Sequence, residues 1–265
     1  MNIEKIFDLS NKTILLTGAA GILGRQYAEG LSQAGANVIL SDVNYSECKK
    51  IENKLCKKYK CTPLAVKVDI SSEKSVKNMV KTALKQFSSI DVLINNAVFP
   101  ETQKERSIPF EKFPLTIWNQ IISVNLNGMF LCSREVGMIM KKQKKGSIIN
   151  ISSMYGMVAA DQRIYGQSGL NSTAAYAATK SAVLNFTRYL ASYWNGSGIR
   201  INSLTLGGVN NGQNSEFIKK YSNKTMIGRM AHKDEYVGAI LFLASDASSY
   251  MTGANLVIDG GWTAW

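Results

Sequence analysis

The sequence predicts a doubly wound α/β fold: a parallel seven-stranded sheet in a single domain, with helices on both faces. Three observations carry the prediction. Seven short runs rich in Val, Ile and Leu recur along the 265 residues, longer amphipathic runs separate them, and a glycine-rich turn joins the first strand to the first long helix. Near-continuous apolar strands alternating with helices specify a sheet buried on both faces and connected by right-handed crossovers. At this length the chain has room for one large core.

The first strand, "TILLT" at 13–17, leads through "TGAAGILG" into a helix expected over 22–34. Gly18, Gly21 and Gly24, with Ala19, Ile22 and Leu23 between them, form a turn where backbone approaches a pyrophosphate and the helix N-terminus offers amide donors. The second strand (37–42) ends on Asp42, followed by Val43, 18 residues after Gly24. A carboxylate there accepts the adenosine ribose hydroxyls and repels a 2′-phosphate, which favours NAD over NADP. It also fits the N-cap of the next helix, over 45–59. The third strand (64–69) ends on Asp69 and Ile70; Asp69 suits the adenine edge, a cap for the helix over 73–87, or both.

The fourth strand (91–95) precedes a long helix over 115–141, and the fifth (147–152) precedes Ser153. The stretch 154–173 then separates that strand from a helix over 173–195. The sixth strand (200–205) is followed by a second long connection, 206–225, before a helix over 234–245 and the seventh strand, 255–259. Both connections follow strand carboxyl ends, where open α/β sheets bind ligands, so the first is read as an inserted substrate-side loop and the second as lid-like. On the helix over 173–195, Tyr176 and Lys180 share a face, and an ammonium beside a phenol lowers the phenol's pKa toward neutral working range.

Composition narrows the classes. A hydrophobic share of 45% with 19% charged residues fits a globular chain, and no apolar run reaches the ~18 residues of a membrane helix. No basic-then-apolar leader opens the sequence, so a cytoplasmic location is expected. Cys48, Cys56, Cys61 and Cys132 form no CxxC pair and His232 is the only histidine; free thiols and no metal site are expected. The excess of 12 positive charges lies in scattered groups without interleaved aromatics, which argues against a nucleic-acid partner.

Together, "TGAAGILG", Asp42, Asp69, "INNAV" (94–98), Asn125 in "SVNLNGMF", "INISS" (149–153), "YAATK" and the ending "ASYMTGANLVIDGGW" resemble, in order and over nearly the whole chain, the short-chain dehydrogenase/reductase family. The resemblance implies a Rossmann-type dinucleotide-binding domain and hydride transfer between a nicotinamide cofactor and an alcohol/carbonyl pair. It implies that Tyr176 is the acid/base, that Lys180 tunes it and holds the nicotinamide ribose, that Ser153 bonds the substrate oxygen, and that Asn125 holds a relay water. It implies cofactor contacts at Asn96, Ala97, Val98 and the backbone of Val209, and a homodimer or homotetramer.

The departures are informative. The glycines read GxxGxxG where compact members of the family usually have GxxxGxG, "NNAV" replaces "NNAG", and Leu206-Gly207-Gly208-Val209 stands where Pro-Gly is common. Ser153 and Tyr176 are 23 positions apart, more than usual, so an insertion lies over the substrate end. That insertion is similar to a bacterial subgroup of oxidoreductases in surface-polysaccharide and flagellin-glycan pathways. Its polar residues (Asp161, Gln162, Arg163, Gln167, Ser168, Asn171) suit a hydroxyl-rich small-molecule substrate, with Tyr155, Tyr165 and Gly207 as candidate wall. Two alternatives stay open: the same chemistry on a non-sugar ketone, steroid or acyl substrate under an apolar lid of Phe217, Tyr221 and Met226, and a non-catalytic dinucleotide-binding protein.

Overall fold

The computed structural model describes residues 3–265. Seven strands, β1 (Thr13–Thr17), β2 (Asn37–Asp42), β3 (Leu64–Lys67), β4 (Val92–Asn95), β5 (Gly146–Ser153), β6 (Ile199–Leu206) and β7 (Asn255–Ile258), form one sheet in the order β3-β2-β1-β4-β5-β6-β7. Every pairing is parallel. The order reverses between β1 and β4, so a crevice opens beyond the carboxyl ends of those two strands.

The helices in chain order are α1 (Ile3–Phe7), α2 (Ile22–Gln33), α3 (Tyr45–Lys58), α4 (Glu73–Phe87), α5 (Gln103–Arg106), α6 (Leu115–Ile122), α7 (Met129–Gln143), α8 (Ala174–Tyr193), α9 (Ser215–Ser222) and α10 (Val237–Ala244). Side-chain caps start several of them: Asn44 on α3, Ser72 on α4, Thr102 on α5, Thr173 on α8 and Asn214 on α9. Each is worth about 1 kcal/mol. One apolar layer packs α2, α3 and α10 against one face of the sheet through Tyr27, Leu31, Ile51, Leu55 and Ile240. The other packs α4, α7 and α8 through Met79, Val80, Val136, Met140 and Leu190.

The helix expected over 115–141 is interrupted: α6 and α7 are joined by a π-helical stretch, Ser123–Gly128, with Asn125 buried inside it. A π turn inside a helix is rare, and here its cause is tertiary. Asn125 Oδ1 accepts the Phe99 N–H at 2.7 Å and its Nδ2 donates to the Thr179 hydroxyl at 3.2 Å, which fixes the side chain between β4's exit and α8.

The two long connections are ordered around a third, smaller cluster. Met154, Ile164, Tyr165, Tyr221, Met230 and Trp262 are buried together, with Phe217 and Leu170 against them. Residues 154–173 contain two 3-10 turns, Met154–Gly156 and Gln162–Tyr165, and residues 206–225, expected as a lid-like loop, contain the helix α9.

Candidate active site

The β1–α2 turn is the first wall. Gly18 has φ +67°, and a Cβ there would stand 2.8 Å from the Ala97 Cα. A Cβ on Gly24 would strike the Gly18 carbonyl and come within 2.9 Å of the Ala19 Cα, whereas one on Gly21 would meet nothing nearer than 3.2 Å. The structure therefore requires glycine at Gly18 and Gly24, and Gly21 is the most replaceable of the three. Measured from those two fixed points, Ile22 occupies the middle glycine position of the GxxxGxG pattern, and its side chain stands 47% exposed at the start of α2.

Unlike α3, α4 and α8, α2 has no side-chain cap at its N-terminus. Its first-turn amides have no side-chain acceptor, which suits an anionic pyrophosphate. Asn96 closes the turn from the other side: its Nδ2 donates to the carbonyls of Thr17 at 3.0 Å and Gly18 at 3.2 Å, and the Asn96 and Ala97 amides donate to the Thr17 hydroxyl. Asp42 Oδ2 accepts the Ala20 N–H at 3.0 Å and Oδ1 accepts the Asn44 N–H at 2.9 Å. The cap of α3 is Asn44, and Asp42 instead ties β2 to the glycine turn. Asp69 likewise does not cap α4; Ser72 does, while Asp69 Oδ1 accepts from the Ser71 amide and hydroxyl.

These residues line a groove of about 570 Å³ bounded by Gly18, Ile22, Asp42, Val43, Asp69, Ile70, Ala97 and Val98. A dinucleotide fits it: uncapped helix amides stand at one point and a carboxylate at the end of β2 at another. Ile70 contributes only its edge, because its side chain is buried in the core under the π stretch, where a Cβ on Gly128 would collide with it.

Leu23, Asn96 and Val98 also border a second cavity of about 420 Å³, so groove and cavity are continuous. This cavity brings together Ser153, Tyr155, Tyr165, Tyr176, Lys180, Gly207 and Val209. Tyr176 enters on the first turn of α8, placed by Thr173, whose hydroxyl accepts the Tyr176 N–H at 3.2 Å. Lys180 lies 5.8 Å from the Tyr176 ring centre and donates to the Ile151 carbonyl at 2.9 Å. Ser153, ending β5, accepts the Tyr155 N–H at 3.2 Å and so starts the inserted stretch as well as facing the cavity. Asn125 and Lys180 border a separate small void of about 10 Å³, the size of a single water, together with Asn95.

The electrostatics differ from the expectation for the tyrosine. Burial pushes the Tyr176 phenol above its ordinary value of 10, and the Ser153 side chain pulls only partly the other way. Burial also moves Lys180 down, to about 8, which leaves it mostly protonated at neutral pH. Tyr155 is also raised by burial, and no lysine stacks on its ring.

The inserted stretch also differs. Of its polar residues, Asp161 is held by Arg163 and Lys224, Gln162 pairs with the Ser172 backbone, Ser168 bonds the Tyr165 carbonyl and Asn171 bonds Ile108. None of Asp161, Gln162, Arg163, Gln167, Ser168 or Asn171 lines the cavity. The polar lining comes instead from Glu101, Arg106, Ser172, Thr173 and Gln213, which sequence reasoning did not single out. The capping pattern Thr102-x-x-Glu105 marks the segment that delivers two of them. Phe217 and Tyr221 line the cavity as the apolar-lid reading expects, but Met226 is 54% exposed and outside it. Tyr221 receives the Gly208 N–H on its hydroxyl and stacks on Trp262 with centroids 4.5 Å apart, so α9 is tied to both the β6 exit and the C-terminal segment.

A family model described as Enoyl-(Acyl carrier protein) reductase matches residues 18–263. A sorbose reductase of Candida albicans is 32% identical over 99% of this chain and 90% of its own length. Post-translational flagellin modification protein A of Campylobacter coli is 29% identical over 96% of this chain and 99% of its own. Among solved structures, a gluconate 5-dehydrogenase from Burkholderia cenocepacia, crystallised with NADP and tartrate, superposes with a TM-score of 0.89 at 28% identity, covering all of both chains. With a parallel seven-stranded sheet, a glycine-turn groove and the Ser153, Tyr176 and Lys180 cavity beside it, the chain belongs to the short-chain dehydrogenase/reductase family of oxidoreductases.

Proposed function

We propose that this enzyme is an NAD-dependent oxidoreductase interconverting an alcohol and a carbonyl on a polyhydroxylated substrate. The observation that carries the reading is that Ser153, Tyr176 and Lys180 line one cavity continuous with the groove bounded by Asp42. Bound in that groove, the nicotinamide cofactor supplies or accepts the hydride. The backbone of Gly18 to Gly24, the Asp42 carboxylate and the Asn96–Val98 strand exit hold its adenosine half, and Lys180 and Val209 hold the nicotinamide half. Ser153 donates to the substrate oxygen and orients it at the phenol. Tyr176, whose phenol burial lifts further above neutral pH, gives its proton to that oxygen during carbonyl reduction and takes one back during alcohol oxidation. Lys180, near 8, stands one residue layer behind to resupply the proton, and the Asn125 void beside it holds the relay water.

NAD is favoured over NADP because Asp42 lines the groove at the end of β2 with a carboxylate that would repel a 2′-phosphate; the NADP in the gluconate 5-dehydrogenase complex weighs the other way. The likeness to a sorbose reductase supports a sugar-like substrate, and that to a flagellin modification protein supports the proposed place in bacterial surface-glycan synthesis; the cytoplasm is the proposed location. The aromatic wall of Tyr155, Tyr165, Phe217 and Tyr221 favours a second reading, a substrate with an apolar face. Tyr176→Phe tests the assignment: turnover of any alcohol or ketone falls at least ~100-fold while NAD affinity by calorimetry stays within about twofold. Unchanged turnover would refute it.

A further inference from the structure

We propose that the substrate carries an anionic group, a carboxylate or a phosphate, and that Arg106 receives it. The inference rests on the oxidoreductase reading above and narrows its substrate class. Arg25, Arg134, Arg163 and Arg229 all pair with carboxylates. Arg106 takes part in none of the ion pairs among the described residues, yet it borders the same cavity as Ser153 and Tyr176.

Its base is clamped and its tip is not. The Arg106 carbonyl accepts the Asn171 N–H at 2.8 Å, and its Nε donates back to the Asn171 carbonyl at 3.3 Å. The guanidinium lies over the Tyr165 ring, 5.4 Å from its centre. Its two terminal nitrogens donate to no described protein group. A guanidinium held over an aromatic ring, with both terminal nitrogens free of described protein acceptors, presents the fork that matches a carboxylate or phosphate. Glu101, the one carboxylate on the cavity wall, does not occupy that fork: it accepts the Thr173 hydroxyl at 2.6 Å, beneath the start of α8. Arg106 and Tyr176 line the same cavity, so an anion seated on the guanidinium shares the space that the phenol faces. The excess of 12 positive charges on the chain draws such substrates in.

The test compares D-gluconate and sorbitol 6-phosphate with neutral sorbitol, each with NAD and with NADP, in wild type, Arg106→Gln and Arg106→Lys. The expected wild-type result is a kcat/KM for one anionic probe about ten- to a hundredfold above sorbitol. Which probe wins separates carboxylate from phosphate. Arg106→Gln brings the anion-to-sorbitol ratio close to one, and Arg106→Lys retains part of it. An Arg106 that only braces Asn171 lowers all three probes alike and leaves the ratio intact, which overturns the proposal, as does a wild type that prefers sorbitol. If no probe is turned over, calorimetric titration of gluconate and sorbitol 6-phosphate onto the NAD- or NADP-loaded protein decides. Binding that Arg106→Gln abolishes supports the proposal, and no binding to wild type overturns it. In either case the Tyr176→Phe comparison judges the oxidoreductase reading separately.

Discussion

Replacing Lys180 with Met removes a charge that the fold buries at a cost. Lys180 is 7% exposed and its one hydrogen bond is to the Ile151 carbonyl; it joins none of the ion pairs among the described residues. Burial lowers it from 10.5 to about 8, while the unfolded chain keeps the ordinary value. Between about pH 8 and pH 10.5 the unfolded chain therefore binds more protons than the folded one, and stability rises with pH across that window. At roughly 1.4 kcal/mol per pH unit, the penalty present at pH 7 is about 3 kcal/mol. Lys180→Met escapes it but loses a charge-assisted hydrogen bond worth about 1.5–3 kcal/mol, so at pH 7 the variant is as stable as wild type or up to ~2 kcal/mol more stable. By pH 10.5 the penalty is gone from wild type and its hydrogen bond remains, so the order reverses. The assay is urea unfolding without cofactor, followed by tryptophan fluorescence at five pH values from 7 to 10.5, with other titrations cancelling between the two proteins. The reasoning predicts a change of about 3 kcal/mol in the difference across that range. A difference flat to within ~1 kcal/mol would show that Lys180 keeps its ammonium without penalty.

Three further outcomes are expected. Asp42→Asn raises the NADP-to-NAD ratio of kcat/KM by on the order of tenfold, since a like charge at the 2′-phosphate is removed; an unchanged ratio argues that Asp42 serves only the Ala20 and Asn44 amides. Gly24→Ala costs about 1–3 kcal/mol in chemical unfolding and weakens NAD binding, because its Cβ meets the Gly18 and Ala19 backbone, while Gly21→Ala costs less than ~1 kcal/mol; equal costs would contradict the packing. Light scattering gives the mass of a dimer or tetramer, with Tyr189 (59% exposed), Tyr193 (67%) and Met138 (49%) on α7 and α8 forming an apolar face available to a second copy; a clean 29.1 kDa monomer removes that assignment.

The strands were legible because a sheet covered on both faces demands apolar residues at almost every position, and β1, β4 and β5 are buried end to end. The long helices were legible from their apolar stripes. The π stretch was not, because Ser123–Gly128 continues the helical pattern in sequence, and the Phe99 amide that its Asn125 accepts lies 26 positions earlier in the chain. Glycine spacing was misleading for a related reason. Three glycines in a turn look equivalent in sequence, and only the approach of Ala97 and Ala19 shows that Gly18 and Gly24 are the constrained pair. The missed helix α9 did carry its signals: Asn214 as cap, Glu216 in the first turn and paired with Lys220, and lysines in the last turn.

The site itself divides along the same line. Residues on regular elements were legible: Tyr176 and Lys180 on α8 from their one-turn spacing, and Ser153 at the end of β5 from the family resemblance. The residues that border the cavity beyond Tyr176 come from separated segments, among them 101–106, the inserted stretch, 206–213 and α9, with the C-terminal Trp262 packed in the cluster behind them. Their contacts span the chain, with Tyr165 on Phe217 at 5.2 Å, Arg106 on Tyr165 at 5.4 Å and Tyr221 on Trp262 at 4.5 Å. The insertion is thus held by apolar and aromatic packing, and Asp161, Gln162, Arg163, Ser168 and Asn171 are taken up in holding its turns and tying them to Lys224 and Ile108. The polar groups that the packing leaves facing inward are therefore few, and among them Arg106 carries a guanidinium that joins none of the ion pairs among the described residues.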